Sequence, residues 1–241
     1  MKLDGKVALV TGASRGLGLA IAEALTAESA SVALLARPGD ELGRAVERLG
    51  RDGARVTAAP ADVTSSSAVD QAVRGVIERW GRLDILVLNA GTWQGAPIAE
   101  TSDAMWDQII DLNLKGAFLA LRAAIPALIE RHGATVVGID SLGGWAGQPG
   151  SAAYAASKWG LRGLLESAAL EHKPQRVRDS IVSPHNINSA GRPIEPGSEE
   201  RDRNLEPQEI ASLVAWIAAA PDHVSVGNVT IWPLAAGIRG R

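Results

Sequence analysis

Short apolar runs alternate with longer amphipathic segments along most of the chain. Apolar runs with few polar side chains are typical of parallel strands that are buried on both faces of a sheet. The pattern predicts strands at residues 6–11, 31–36, 55–59, 83–88, 135–139, 177–182 and 226–231. It predicts a first helix that ends near residue 28 and later helices at about 41–50, 66–80, 102–131, 152–172 and 207–220. The pattern at 102–131 is interrupted at Gly116 and Pro126.

This alternation predicts an α/β fold in which a doubly wound, seven-stranded parallel sheet carries helices on both faces. No linker or break in composition precedes about residue 186, so we predict a single domain over residues 1–241. Residues 186–206 are richer in glycine, proline and charged side chains. We interpret them as a short exposed substrate loop of that domain rather than as a domain boundary.

A glycine-rich segment, Thr11-Gly12-Ala13-Ser14-Arg15-Gly16-Leu17-Gly18, joins the first strand to the first helix. Glycine permits a tight turn and lets a phosphate approach the backbone, and the helix that follows offers free N–H groups and a positive dipole end. An ordinary glycine-rich turn is the alternative, but the position of the segment favours dinucleotide binding in a Rossmann-like fold. We therefore predict cofactor contacts from Gly12, Ser14, Arg15, Gly16, Leu17 and Gly18.

The residue after the second strand bears on which dinucleotide is bound. NAD-binding folds of this kind carry an acidic residue about 20 residues beyond the glycine loop, where it holds the ribose hydroxyls. Here the chain has Arg37, and Arg15 adds a second cation. A solvated surface position is the alternative for either arginine, but two cations without a competing acid favour NADP(H) over NAD.

The helix predicted at about 152–172 carries Tyr154, the single tyrosine of the chain, and Lys158 four residues later. That spacing places both side chains on one helical face. An ammonium group beside a phenol favours the phenolate, so we expect Lys158 to lower the pKa of Tyr154 from about 10. Tyr154 is thus a candidate general acid or base, although an amphipathic helix with one tyrosine and one lysine has the same spacing.

Composition narrows the possible functions. A net charge of −3 gives no electrostatic reason to expect nucleic acid or an anionic membrane as a partner. The chain has no cysteine, which excludes disulfides and thiol nucleophiles, and its four histidines lack the spacing of metal ligands, so no metal is expected. Without a signal-peptide pattern or an apolar run of about 20 residues, a soluble cytoplasmic protein is predicted.

Taken together, these motifs resemble the short-chain dehydrogenases/reductases in their single-domain form, from Lys2 to about Trp232. Besides the glycine loop and the Tyr–Lys pair, four features carry the resemblance: Asp62-Val63 after the third strand, Asn89-Ala90-Gly91 after the fourth, Asn113 in the long central helix, and Ser141 after the fifth strand. Leu88 departs from the pattern, since an asparagine is common at that place.

The resemblance implies a catalytic tetrad of Asn113, Ser141, Tyr154 and Lys158. Ser141 would bond the substrate carbonyl, Tyr154 would give its proton to the nascent alkoxide, and Lys158 would hold the nicotinamide ribose. Asn113 would hold a water that links Lys158 to solvent. Further cofactor contacts are implied for Asp62, Val63, Asn89, Ala90, Gly91, Pro184, Ile187 and Ser189.

The segment after the sixth strand, Pro184-His185-Asn186-Ile187-Asn188-Ser189, differs from the family pattern. His185 stands where the family has glycine, and Ser189 takes the place of a threonine. His185 would reshape the nicotinamide pocket or reach the substrate as an extra donor; a harmless replacement is the alternative. Since the polar segment before Pro207 is short, we predict an open site lined partly by Trp93, Leu142 and Trp145.

The resemblance implies an NADPH-dependent reductase that transfers hydride to a ketone of the 3-oxoacyl or secondary-metabolite type. An alcohol or sugar dehydrogenase working in the oxidative direction is a second possibility. A non-catalytic NADP-binding regulatory protein is a third, but such a protein would be expected to have lost part of the tetrad. Family members often pair through the central and tyrosine-bearing helices, so a homotetramer, or else a dimer, is expected.

Overall fold

The computed structural model describes residues 2–51, 53–188, 198 and 201–236. Within these residues, seven parallel strands form one sheet in the order β3-β2-β1-β4-β5-β6-β7. The strands are β1 (Val7–Thr11), β2 (Ser31–Ala36), β3 (Val56–Pro60), β4 (Ile85–Leu88), β5 (Thr135–Ile139), β6 (Arg178–Pro184) and β7 (Asn228–Ile231). The order reverses between β1 and β4, and a sheet of this kind binds ligands in the crevice at that point.

Helices cover both faces of the sheet, which confirms the predicted α/β fold. They are α1 (Gly16–Ala27), α2 (Asp40–Gly50), α3 (Ser66–Trp80), α4 (Asp103–Ile110), α5 (Gly116–Leu128), α6 (Ala152–His172) and α7 (Pro207–Ala218). One apolar core lies where α3, α5 and α6 meet the sheet, and a second lies under α1, α2 and α7. In the described part of the chain, no helix combines the length and the apolar character needed to cross a membrane.

The long helical pattern at about 102–131 is interrupted just before Gly116, one of the two predicted positions, by a π-helical segment that was not predicted. Helix α4 ends at Ile110, a π-helical segment spans Asp111–Lys115, and α5 begins at Gly116. A Cβ atom on Gly116 would lie 2.9 Å from the Val63 side chain. Position 116 therefore requires glycine because the helix packs closely against the loop that follows β3. The prediction that Pro126 interrupts the helix is wrong, because Pro126 lies within α5.

A buried arginine at the start of β6 holds the end of α7 against the sheet. The Arg178 guanidinium donates hydrogen bonds to the carbonyl oxygens of Ala218, at 3.2 Å, and Ala220, at 2.8 Å. It also donates to the hydroxyl of Thr135 on β5. Because the last carbonyls of a helix have no partner within the helix, Arg178 satisfies groups that would otherwise be buried without one.

We expect Arg178→Met to destabilise the fold by about 3 kcal/mol, because several buried carbonyls lose a charged donor. Thermal unfolding followed by circular dichroism would show a Tm lower by about 5 °C or more. Arg74, exposed on α3, offers a matched control, and Arg74→Met should leave Tm nearly unchanged. Equal Tm values for the two variants would contradict the role given to Arg178.

Candidate active site

Most of the predicted site residues lie on loops and helices that follow the strands β1, β4, β5 and β6, while Arg37 follows β2 and Asp62 and Val63 follow β3. All four strands are parallel and adjacent in the sheet, so their carboxyl ends share one edge. The glycine loop leaves this edge from β1, and Ser141 leaves it from β5. The sheet therefore brings the glycine loop and the predicted tetrad to the same side of the molecule.

The glycine loop is packed too closely for larger residues at two positions. Gly12 has φ of +66°, and a Cβ atom on it would lie 2.9 Å from Cα of Ala90. A Cβ atom on Gly18 would overlap the carbonyl oxygen of Gly12. Glycine at these two positions therefore permits the tight turn between strand and helix that is typical of a dinucleotide-binding loop.

The start of α1 is suited to an anion. Arg15 precedes the helix without a capping hydrogen bond from its side chain, and the first turn contains no acidic residue. The positive end of the helix dipole therefore has no compensating charge within that turn. Together with the open space around Gly16, this end of α1 fits the pyrophosphate of a dinucleotide.

Thr11 and Asn89 fix the glycine loop to the end of β4. The Thr11 hydroxyl accepts the backbone N–H groups of Asn89, at 2.9 Å, and Ala90, at 3.0 Å. The Asn89 side chain donates to the carbonyl of Thr11 at 2.9 Å. Asn89, predicted as a cofactor contact, therefore also supports the loop. Thr11 was not among the predicted site residues. Its hydroxyl at the last position of a buried strand is the sequence feature that could have identified it.

The two predicted cations of the cofactor site have different surroundings. Arg15 lies 3.6 Å from the carboxylate of Glu41 on α2, so the expectation that no acid competes is wrong for Arg15. Arg37 is exposed just after β2. Its charge contributes to a lowered pKa of Asp62, after the larger effect of hydrogen bonds from the Thr64 backbone and hydroxyl. Arg37 is accordingly the better candidate to bind a ribose phosphate.

Tyr154 and Lys158 lie side by side on α6, as predicted. The Nζ atom of Lys158 is 5.8 Å from the centroid of the Tyr154 ring and donates to the carbonyl of Ile139 at 2.8 Å. The Ser141 side chain lies beside the Tyr154 ring, since both approach the same point at Gly143. A Cβ atom on Gly143 would lie 2.9 Å from the Tyr154 ring, so the turn after Ser141 makes room for the phenol.

The expected lowering of the Tyr154 pKa by Lys158 is not found. Burial raises the pKa of Tyr154, the hydrogen bond from Ser141 opposes this, and the negative charge of Asp140 adds to the increase. Burial also lowers the pKa of Lys158 to about 8, while Asp140 acts in the opposite direction. The phenol is therefore protonated at neutral pH, which is the form that a proton donor requires.

Asn113 lies in the π-helical segment and is almost completely enclosed. Its side-chain oxygen accepts the N–H of Thr92 at 2.7 Å, and its amide nitrogen donates to the Thr92 carbonyl at 2.9 Å and the Ser157 hydroxyl at 3.0 Å. Ser157 in turn donates to the carbonyl of Tyr154 at 2.7 Å. Asn113 thus connects the loop after β4 to α6; its predicted role in holding a water stays a prediction.

The four predicted substrate contacts differ in how exposed they are and in what holds them. Trp93 is 62% exposed, and Leu142 is half-buried in the turn after Ser141. Trp145 donates its indole N–H to the Ser183 hydroxyl at 3.0 Å, so this ring is held in place by β6. The His185 backbone N–H donates to Ile231 of β7 at 2.9 Å, and the side chain is half-buried.

The region after β6 is described in part. Ile187 forms a parallel bridge with Leu205, which closes the base of the predicted substrate loop. Pro184 is the last residue of β6, which extends two residues beyond the predicted end of that strand. Ser189 lies outside the described residues, as do 190–197 and 199–200. The open site and the cofactor contact of Ser189 therefore stay predictions.

One charged residue at the site was not identified from the sequence. Asp140 is buried between the end of β5 and Ser141. The sequence feature that could have identified Asp140 is its place directly after an apolar strand and before the predicted catalytic residue Ser141.

Comparison with known proteins agrees with this geometry. A family model described as short chain dehydrogenase matches residues 6–194. An uncharacterized oxidoreductase of Staphylococcus epidermidis is 32% identical over 234 residues, which cover 97% of this chain and 99% of that protein.

Solved structures are similar over nearly the whole chain. A dehydrogenase/reductase from Sinorhizobium meliloti 1021 has a TM-score of 0.89 at 35% identity, covering 98% of this chain and 96% of that one. A metagenomic short-chain oxidoreductase in complex with NADP has a TM-score of 0.84 at 38% identity, with coverages of 97% and 99%. Because the family model and these proteins match most of the sequence, the chain belongs to the short-chain dehydrogenase/reductase family of oxidoreductases.

Proposed function

We propose that this oxidoreductase reduces a ketone with NADPH and that Tyr154 donates the proton. The observation that carries the proposal is the half-buried Tyr154 phenol, which lies beside Ser141 at the sheet edge that also holds the glycine loop. When bound, NADPH supplies the hydride for the carbonyl carbon. Ser141 and Tyr154 would bond the carbonyl oxygen, and Tyr154 would protonate it as negative charge develops.

Two observations support reduction over the other possibilities. The raised pKa of Tyr154 favours the neutral phenol, whereas alcohol oxidation needs a base at this position. All four tetrad residues are present, which argues against a protein that binds NADP without catalysis. The substrate type, 3-oxoacyl or secondary-metabolite ketone, and the cytoplasmic location are proposals from the family resemblance.

The preference for NADPH is supported by Arg37. This exposed arginine follows β2 at the place where an acidic residue would repel a 2′-phosphate. The similar metagenomic oxidoreductase was solved in complex with NADP, which favours the same cofactor here. The residues that would hold the cofactor are Gly12, Ser14, Arg15, Gly16, Leu17, Gly18, Arg37, Asp62, Val63, Asn89, Ala90 and Gly91.

Tyr154→Phe tests the catalytic role. Loss of the phenolic proton should lower kcat for ketone reduction by at least about 100-fold, the range attributed to a general acid. A panel of ketones with NADPH, followed by nicotinamide absorbance, measures this. NADPH binding, measured by fluorescence titration, should change little. Activity that survives in the variant would rule out Tyr154 as the proton donor, and NADPH binding without activity in either protein would favour the regulatory alternative.

Arg37→Asp tests the cofactor preference. Loss of a charge-assisted contact and gain of a repulsive carboxylate should lower kcat/KM for NADPH at least about 10-fold and shift the preference toward NADH. Arg74→Asp, on the exposed surface of α3, changes the net charge equally and should leave the NADPH-to-NADH ratio unaltered. An unchanged ratio in Arg37→Asp would contradict the assignment.

We also propose that the protein is a homotetramer. Phe118 on α5 is 40% exposed and Trp159 on α6 is 56% exposed, on the two helices through which the family often pairs. Leu161 and Leu165 of α6, by contrast, are buried in the chain's own core. The exposed aromatic rings therefore carry this proposal.

Phe118→Glu combined with Trp159→Glu should lower the mass measured by light scattering, because buried charges would destabilise the interface. Trp93→Glu replaces another exposed tryptophan at the carboxyl edge of the sheet and should leave the mass as it is in the original protein. A double variant that keeps the original mass would refute an interface through α5 and α6.

A further inference from the structure

Asp140 is a carboxylate buried beside the tetrad. It follows Ile139 at the end of β5, precedes Ser141, and is 2% exposed. Its Oδ2 atom accepts the Ser183 hydroxyl of β6 at 2.8 Å. A Cβ atom on Gly144 would overlap the carboxylate, so the turn after Ser141 leaves space for this side chain. An ionised group in so dry a place requires a compensating charge.

A series of contacts that begins at Ser183 holds the Asp140 carboxylate in position. Ser183, which donates to Asp140, accepts the indole N–H of Trp145 at 3.0 Å. The Arg162 guanidinium of α6 stacks on the Trp145 ring at 3.7 Å from its centroid. The Asp140 carboxylate is thus fixed by a hydroxyl whose own orientation is set by a stacked tryptophan.

The charged and titratable groups that face Asp140 come from α6. They are Tyr154, Lys158 and Arg162, which recur at intervals of four residues and therefore share one helical face. Burial raises the pKa of Asp140, and the Ser183 hydrogen bond and the positive charges of Lys158 and Arg162 oppose that increase. The neighbouring strand β6 contributes a neutral group, the hydroxyl of Ser183.

The effects of Asp140 on its two neighbours have the same sign. Burial lowers the pKa of Lys158 to about 8, and Asp140 is the charge that opposes this. Burial raises the pKa of Tyr154, and the charge of Asp140 raises it further. A negative charge at this position therefore favours the protonated form of both groups, and its removal would lower both pKa values.

We propose that Asp140 is a positioning residue for proton transfer: its carboxylate, held by Ser183, is the counter-ion that keeps Lys158 cationic and the Tyr154 phenol neutral. This sets the upper pH limit of reduction. The kinetic consequence rests on the proposed reductase function, whereas the charge coupling itself does not. The competing explanation is a structural one, in which Asp140 serves to join β5 to β6 through Ser183.

The single tyrosine makes the coupling measurable without any substrate. Phenolate formation at Tyr154 can be followed by near-ultraviolet absorbance, with Tyr154→Phe as the blank. In Asp140→Asn, which keeps the shape and an acceptor oxygen for Ser183, the Tyr154 titration should move to lower pH by about one unit or more. Ser183→Ala keeps the charge and removes the bond to β6, so its titration should move much less.

Circular dichroism at each pH restricts the comparison to folded protein. If Asp140→Asn does not fold, Asp140→Ser provides a smaller neutral side chain for the same space and the same titration. A Tyr154 titration that stays at its original pH in a folded neutral variant overturns the proposal. A shift in Ser183→Ala as large as that in Asp140→Asn does so too, because it assigns the effect to structure rather than to charge.

The pH profile of kcat for reduction provides the second measurement. In Asp140→Asn the alkaline limb should move to lower pH in parallel with the phenol titration, with kcat on the plateau within about fivefold of the original. A lower plateau with an unmoved limb would identify a purely structural residue and overturn the proposal. If no ketone is reduced but the phenol titration shifts, the reductase function fails while the coupling between Asp140 and Tyr154 stands.

Discussion

The hydroxyl of Thr11 joins the two halves of the sheet at the point where the strand order reverses. It donates to the Val87 carbonyl of β4 at 3.2 Å and accepts the N–H groups of Asn89 and Ala90. These bonds bring the glycine loop so close to the end of β4 that Gly12 has no room for a side chain. The cradle for the dinucleotide is thus a consequence of how two strand ends are fastened together, since parallel strands place their carboxyl ends at one edge.

A second constraint acts on the opposite side of the same crevice, where charges are buried. The Lys158 ammonium is enclosed, and its described polar contacts are the Ile139 carbonyl and the nearby charge of Asp140. Both come from the end of β5, so the strand that supplies Ser141 also supplies the electrostatic surroundings of Lys158. In a low-dielectric site such charges act strongly on one another, and this is why the position of one carboxylate affects two neighbouring groups.

The sequence was sufficient for the parts of the molecule that depend on local pattern. The bounds of β2, β5 and α6 agree with the prediction, because apolar β-branched runs and an alanine-rich segment without proline determine local structure strongly. The π-helical segment was missed because it depends on tertiary contacts: Gly116 packs on Val63, and Asn113 bonds to Thr92 and Ser157. No periodicity in the chain encodes those contacts.

The chemistry of the site was predictable in its residues but less so in its energetics. The Tyr154–Lys158 spacing indicated the correct pair, but the predicted direction of the Tyr154 pKa shift was wrong because burial raises this pKa and the charge of Asp140 adds to the increase. The Glu41 partner of Arg15 was missed for a related reason, since the two residues meet across a loop and a helix start. Charge effects depend on distance and dielectric, neither of which is readable from spacing alone.

The turn after Ser141 shows how little room the site leaves for variation. Gly143 accommodates the Tyr154 ring, and the adjacent Gly144 accommodates the Asp140 carboxylate. Trp145, the next residue, fixes Ser183 and carries Arg162 on its ring. Three consecutive residues therefore position the proposed proton donor Tyr154, the neighbouring charge of Asp140 and the hydroxyl of Ser183 that holds that charge. A short turn with two glycines and an anchored tryptophan is thus as much a part of the active site as the tyrosine that it supports.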